Sequence, residues 1–168
     1  METIISMIII GIVGILLVPI IGSGTKVLES ALVNQEIKDN LYIAQRRFNH
    51  DVMVIRDIAH IHYADKTTLR FVNSDLDTIQ YRYDGGEFYR SENSQGEYTV
   101  AQYLTDSTRF FYYTINDVMI NEEILGDSTL LKIWRIQLDT YATMHSKSMK
   151  IQSLSFPPNL KYGLVREF

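Results

Sequence analysis

The chain has 168 residues, a formal net charge of −4 at pH 7 and no cysteine, and 46% of its residues are apolar, tyrosine included. The missing cysteine excludes disulfides, thiolate metal sites and cysteine nucleophiles. The acidic balance gives no reason to expect a nucleic-acid partner, because nucleic-acid-binding domains usually carry a basic stripe. This length accommodates one domain and an appended segment.

The first segment is the most apolar part of the chain. No charged residue lies in Ile4–Ile21, which is about the length that spans a hydrocarbon core as a helix. One interpretation is a cleaved secretory signal ending at Gly22–Gly24, but such a signal needs a basic start and a shorter apolar core, and this chain starts with Met1 and Glu2. A second is a plain N-terminal anchor. The third depends on the pattern of individual residues.

Four special residues, Glu2, Gly11, Gly14 and Pro19, lie within this run of Ile, Val, Leu and Met. In that spacing the segment resembles the N-terminus of type IV pilins and type II secretion pseudopilins, whose mature chains begin F-T-L-[IV]-E. The resemblance implies a transmembrane helix, residues 1–22, in which Glu2 pairs with the free, often methylated N-terminal amine of a neighbouring subunit. Since an unpaired carboxylate in hydrocarbon is costly, the alternative is a protonated or snorkelling acid.

The resemblance also bears on the start of the chain. Met1 lies where the family has Ile, Val or Leu, and the F-T-L residues, the cleavage-site glycine and the basic leader do not precede it. We expect either a true start upstream of Met1 or a chain without a leader, and prepilin peptidase is a partner only of the longer form. Pro19 removes one helical hydrogen bond, and the resemblance implies that the helix around it loosens during assembly.

Beyond Gly24, apolar residues recur in steps of mostly three to five, which predicts an amphipathic stem helix over residues 23–60. The charged residues between them supply its polar face, so the stem has one apolar side to bury. The apolar positions are Val27, Leu28, Leu32, Ile37, Leu41, Ala44, Phe48, Val52, Ile55 and Ile58.

From residue 61 to residue 168 the apolar pattern alternates, which predicts strands, and Asp84-Gly85-Gly86 predicts a hairpin turn. An antiparallel sheet with one apolar face needs a cover, which the stem supplies. The predicted fold class is α+β, with one long N-terminal helix packed on a mainly antiparallel sheet, as in pilins. Tyr98–Asp106 is ambiguous. The predicted strands are Leu69–Phe71, Ile79–Tyr83, Glu87–Arg90, Arg109–Ile115, Leu130–Leu138 and Ser148–Leu154, with loops at Ser91–Glu97 and Asn121–Ser128.

The later part of the chain looks like the J-type minor pseudopilin and the minor pilins of other type IV pili. The matching stretches are Arg46-Arg47-Phe48, Leu69-Arg70-Phe71, Phe88-Tyr89-Arg90 and Phe111-Tyr112-Tyr113, whereas Phe156–Asn159 has no J-type counterpart. The resemblance implies a structural subunit, not an enzyme, that helps initiate or cap a type IV pilus or a type II secretion pseudopilus. It implies other minor pilins or pseudopilins, the inner-membrane assembly platform and the lipid bilayer as partners. The soluble domain would lie in the periplasm and reach the filament tip after assembly.

Few residues suggest metal chemistry, and no cofactor is expected. Major pseudopilins of the resembled family hold calcium in a loop, and here Asn73, Asp75, Asp77 and Asp84 are the oxygen donors of a predicted loop and turn. Calcium takes about six to eight oxygen ligands. The alternative is that these residues bond their own backbone, as turn residues do.

Three further patterns have a functional and a structural interpretation. His60 and His62 could bind a metal or simply end the stem. Arg46-Arg47 could pair with acids of a neighbouring subunit or face solvent. Phe110–Tyr113 could offer a stacking surface or pack internally, and adjacent strand residues face opposite ways.

The second functional hypothesis is a membrane-anchored periplasmic binding or sensor domain that belongs to no filament. An anchored enzyme is disfavoured because the sequence shows no nucleophile with a recognisable base and no phosphate-binding glycine loop. Replacement of Glu2 distinguishes the first two hypotheses, since only a filament subunit needs that carboxylate.

Overall fold

The structure is a computed structural model that describes residues 2–93 and 95–162. The chain divides into two compact units, Met1–Glu36 and Ile37–Phe168. Helix α1 (Glu2–Met53) makes up the described part of the first unit and opens the second. Its large apolar side chains in the first unit, such as Met7 and Ile15, are exposed.

Helix α1 ends at Met53, so the stem helix predicted over residues 23–60 is wrong in its last turns. The Val54 and Ile55 N–H groups bond to carbonyls three residues back, at 3.3 and 3.2 Å, which tightens the chain out of the α-helix. Ile55 then forms an isolated bridge with Asn73. Because Val52 and Ile55 are both fully buried, the apolar stripe marks the core correctly even where the backbone is no longer helical.

Two antiparallel sheets follow, where the sequence predicted one. The first has the strand order β1-β2-β3-β4-β5 and the second β7-β6-β8-β9. The strands are β1 (Ile61–Ala64), β2 (Thr68–Val72), β3 (Thr78–Asp84), β4 (Glu87–Glu92), β5 (Tyr98–Ala101), β6 (Arg109–Tyr113), β7 (Met119–Ile120), β8 (Arg135–Met144) and β9 (Lys147–Ser155), and a 3₁₀ turn (Ile58–His60), α2 (Asp127–Leu130) and α3 (Pro158–Tyr162) complete the described part.

The strand predictions succeed where glycines or a regular alternation mark the ends. Gly85 and Gly86 have positive φ values of 56° and 88°, which confirms the β3–β4 turn as the type that glycine favours. The strand predicted over Leu130–Leu138 is wrong in its first half, since Leu130 ends α2 and β8 begins at Arg135. The Leu130 N–H bonds to the Gly126 carbonyl at 2.9 Å, and this helical turn competes with the strand.

The core lies between α1 and the sheets and confirms the α+β fold. Phe48 of α1 meets Tyr81 of β3 at a ring-centroid distance of 5.3 Å and Phe110 of β6 at 5.5 Å. Phe88 of β4 stacks on Tyr81 at 5.2 Å. One aromatic side chain of the helix therefore contacts both sheets, with Ile37, Leu41 and Ala44 buried along the same side of α1.

Candidate functional site

The residues singled out in the first segment all lie in α1, which continues through Pro19. A Cβ added at Gly11 or at Gly14 would meet nothing within 4 Å, so packing within the described chain does not require either glycine. The side chain of Glu2 lies outside the described residues. Its pairing with a neighbouring subunit, like the loosening at Pro19, stays a prediction.

The apolar start of α1 is a candidate membrane anchor. The part Ile9–Met53 has the length and composition to cross a membrane, with a mean hydropathy of 1.9 in its most apolar window, none of which is buried. A signal sequence near an N-terminus meets the same criterion. Ile15 is 74% exposed and Val18 71% exposed, and so continuous an apolar surface calls for a lipid or protein cover.

The predicted calcium loop forms a turn that bonds its own backbone. The Asn73 Oδ1 accepts the Asp75 N–H at 3.0 Å and the Asp77 N–H at 2.8 Å. Asp84 is not brought to this loop, because it ends β3 whereas the loop precedes the start of that strand. Its Oδ2 pairs with Arg82 at 2.6 Å. In residues 2–93 and 95–162, no group of three or more His, Asp or Glu side chains is arranged to hold a metal ion. The loop therefore has the turn geometry that the alternative interpretation predicted.

A buried charged pair joins α1 to the first sheet. The Arg90 Nε donates to the Asp51 Oδ2 at 2.6 Å, and the Tyr81 hydroxyl donates to the same oxygen at 2.8 Å. Burial raises the pKa of Tyr81 well above its ordinary value and the Asp51 charge adds to this shift, so the phenol stays a donor. Arg90 reaches outward as well, to the Glu92 carboxylate at 2.8 Å. The pair fixes the end of α1 to β3 and β4.

Amide side chains on the same helix bind the second sheet. The Gln45 Nε2 donates to the Thr140 hydroxyl at 2.9 Å and to the Ile151 carbonyl at 2.8 Å. The Asn49 Oδ1 accepts hydrogen bonds from Ser153 and Ser155 of β9. Residues 45–51 of α1 are thus bonded to both sheets, which holds this part of the helix in one position on the sheets.

Next to the buried pair is an open cleft of about 610 Å³. Arg46, Arg47 and His50 form its basic wall on α1, and the acidic wall consists of β-sheet and loop residues. Arg47 lies over the Tyr98 ring at 5.8 Å, and in the described part of the chain Arg46 forms no ion pair. The full lining is Ile43, Arg46, Arg47, His50, Asp51, Asn73, Asp75, Asp77, Arg90 and Glu92.

The cleft is suited to binding charged groups. The His50 Nδ1 lies 3.3 Å from the Asp51 Oδ1, an arrangement that can orient an imidazole base. However, the described residues that line it include no Ser, Thr, Tyr or Lys side chain that this base could activate as a nucleophile. Opposed basic and acidic walls favour a partner that carries both charges.

Of the three patterns singled out in the sequence, burial resolves the aromatic one. Phe110 and Tyr112 are buried, whereas Phe111 and Tyr113 on the other face of β6 are only partly covered, so no stacking surface contains all four rings. Arg46 and Arg47 are both exposed. His60 lies in the 3₁₀ turn and His62 in β1, where His62 is exposed.

Sequence reasoning missed the pair formed by Asp51 and Arg90. One signal was present, because Arg90 follows the inward-facing Phe88 at the two-residue spacing of a strand, and Asp51 lies three residues after Phe48 on the apolar side of α1. A charged residue at an inward position of each element indicates that the two must meet.

The chain matches no protein-family model, and a search of curated proteins finds no similar one. Its function is therefore inferred from the chemistry of its own residues.

Proposed function

We propose that this chain is a minor pilin or pseudopilin, a structural subunit that helps initiate or cap a type IV pilus or a type II secretion pseudopilus. The observation that supports this is the single helix α1 (Glu2–Met53). It begins with an exposed apolar segment and ends with a side that packs on antiparallel sheets. That order of elements is the one expected of a pilin.

In this proposal the apolar start of α1 lies in two environments in turn, the membrane and the filament. Before assembly it lies in the inner membrane, with the soluble domain in the periplasm. In the filament it packs among the helices of other minor subunits, and Glu2 pairs with a neighbouring N-terminal amine. The inner-membrane assembly platform moves the subunit between these environments, and prepilin peptidase processes the chain if its leader lies upstream.

The attachment of α1 to both sheets supports this role mechanically. A subunit that is extracted from a membrane by its helix must transmit that displacement to its soluble domain. The hydrogen bonds of Gln45 and Asn49 to the second sheet and the ion pair of Asp51 with the first supply a polar connection. The aromatic packing around Phe48 adds an apolar one. Together they attach residues 45–51 of α1 firmly to the sheets of the soluble domain.

The experiment compares Glu2→Ala with Glu29→Ala, a matched loss of a carboxylate further along α1. Each full-length variant is expressed with the other subunits, and its amount is measured in sheared filaments and in the membrane fraction. We expect Glu2→Ala to be lost from filaments by about tenfold or more and to stay in the membrane. The variant lacks the carboxylate whose cost in hydrocarbon drives pairing with a neighbouring amine. Equal incorporation of both variants contradicts the proposal.

A second candidate function is a membrane-anchored periplasmic binding or sensor domain. The cleft of about 610 Å³ between the Arg46 and Asp75 walls favours it, because this volume is typical of small-molecule sites. This function requires that the chain stay in the membrane fraction and that Glu2→Ala have little effect. Binding of a zwitterionic ligand should then depend on Arg46.

A further inference from the structure

A second cleft, of about 370 Å³, lies on the outer face of the first sheet, and every side chain lining it is polar. Arg70 of β2 pairs in register with Gln80 of β3, and Gln80 pairs with Ser91 of β4. His62 of β1 and Thr78 of β3 complete the lining. The cleft thus takes one or two side chains from each of four adjacent strands.

The five side chains of this cleft have no polar partner among the described residues. Within residues 2–93 and 95–162, none of them takes part in a hydrogen bond or an ion pair with another residue. Arg82 provides the contrast, since it lies two residues beyond Gln80 on the same face. Its guanidinium binds Asp84 at 2.6 Å and Glu97 at 2.7 Å and lies over the Tyr89 ring at 5.0 Å. The charge of Arg82 is therefore paired within the chain, whereas Arg70 forms no ion pair with the described residues.

The acidic turn that precedes β2 forms no ion pair with Arg70 within the described residues either. Asp65, which precedes β2, accepts a hydrogen bond from the Tyr63 hydroxyl at 2.8 Å and from the Thr67 and Thr68 N–H groups at 2.6 and 2.5 Å. That carboxylate is therefore used by its own turn. Among the described residues the lining contains no carboxylate, so this lining is basic on a chain whose net charge is −4.

We propose that this cleft binds an oxyanion, a carboxylate or sulfate group, with Arg70 as the residue that holds it. A guanidinium presents two parallel N–H donors that match two oxygens of such a group. The amide of Gln80 and the hydroxyls of Thr78 and Ser91 supply the neutral hydrogen bonds that a sugar or a small polar molecule needs. The volume suits a ligand of about one sugar ring, at the lower end of the range for small-molecule sites.

Two sources carry this chemistry, an acidic sugar and a free inorganic anion, and the test separates them. The full chain in detergent micelles is titrated calorimetrically with glucuronate, with sulfate and with glucose as the neutral match of glucuronate. We expect glucuronate to bind and glucose to bind at least about tenfold more weakly, because a charge-assisted hydrogen bond is lost. Tighter binding of glucuronate than of sulfate identifies the acidic sugar, and equal or tighter binding of sulfate identifies the free anion.

The deciding variants are Arg70→Gln and, as its matched control, Arg109→Gln on the exposed side of β6. Arg70→Gln should weaken anion binding about tenfold or more, Arg70→Lys should weaken it less, and Arg109→Gln should leave it unchanged. Near-ultraviolet circular dichroism checks that each variant is folded. The proposal is overturned if glucuronate and sulfate bind the parent chain no better than Arg70→Gln, which includes no binding to either. It does not depend on the filament proposal, because the five residues that line the cleft lie in β1 to β4.

Discussion

The buried pair of Arg90 and Asp51 allows a stability prediction whose size follows from the contacts. The substitution Arg90→Met keeps the length of the side chain and removes its charge. In the parent chain the Arg90 side chain is 5% exposed and that of Asp51 is 10% exposed. The substitution therefore leaves a nearly buried carboxylate without its cation.

Removing one partner of a buried ion pair costs about 3–5 kcal/mol. Asp51 retains the Tyr81 hydroxyl at 2.8 Å and the His50 ring nitrogen at 3.3 Å, so we expect the lower end of this range, about 3 kcal/mol of unfolding free energy. For a domain of this size that corresponds to a fall of about 10 °C in the thermal midpoint. The double variant Arg90→Met/Asp51→Leu leaves no buried charge unpaired, because Glu92, which also loses its contact with Arg90, has a side chain that is 40% exposed. It should recover at least half of the loss.

The assay is thermal unfolding of the full chain in detergent, followed by near-ultraviolet circular dichroism at one scan rate. Arg82→Met is the control, because Arg82 also forms ion pairs but its side chain is 33% exposed. Exposed pairs contribute less than about 1 kcal/mol. If Arg90→Met and Arg82→Met lower the midpoint equally, burial does not strengthen the Arg90 pair and the reasoning is refuted.

Phe48→Ala should lower the unfolding free energy by about 3–5 kcal/mol, because it removes the aromatic contact between α1 and both sheets. A loss below about 1 kcal/mol in thermal unfolding would contradict that packing. Gly86→Ala should cost about 1–3 kcal/mol, since φ is +88° there and a Cβ would lie 3.3 Å from a backbone oxygen, whereas Gly96→Ala, with nothing within 4 Å, should have little effect in the same assay. The hydrogen bond from Arg82 lowers the pKa of Glu97 below its ordinary 4.5, so the unfolded chain binds this proton more tightly. The pair's stabilisation is complete above pH 4.5 and is lost as the pH falls through the lowered value. Glu97→Gln should lower the unfolding free energy by less than about 1 kcal/mol at neutral pH. It should also reduce the fall of the thermal midpoint at acid pH, measured from pH 3 to 7. An unchanged fall would show that the pair does not cause it.

The core side of α1 could be predicted from the sequence because a helix fixes which side chains share a face. Ile37, Leu41 and Phe48 follow the 3.6-residue period, and all three are buried. The helix end at Met53 could not be predicted, since the apolar period continues to Ile58. It is decided by the pairing of Ile55 with Asn73, a contact that only the folded sheet provides.

Turn chemistry explains why some strands were found and others missed. Gly85 predicts the turn between β3 and β4, because glycine takes positive φ at no steric cost. The β8–β9 turn uses His145 and Ser146, with φ values of 46° and 63°, and neither residue type signals such a turn. The hairpin that these residues close is therefore held by the pairing of β8 with β9 along its whole length, not by its turn.

The candidate sites differ in how far local spacing can reveal them. Asn73 and Asp77 are four residues apart, so their turn is visible in the sequence. Arg90 and Asp51 are far apart in the chain, and the Arg70 cleft depends on the register of three strand pairs. Register is fixed by which face of each strand is buried, a property of the whole sheet that a single strand's sequence does not contain.

That same register makes the two proposed activities compatible. Leu69, Phe71 and Tyr81 of the first sheet point to the core that α1 covers, and all are fully buried. Arg70 and Gln80 alternate with them and therefore lie on the opposite face. A partner that engages residues 37–53 of α1 contacts the domain from the helix side and leaves the oxyanion cleft open. Arg70→Gln should then weaken anion binding about tenfold or more without reducing incorporation into filaments, whereas a reduction of both would indicate that the outer face of the sheet is itself part of the assembly interface.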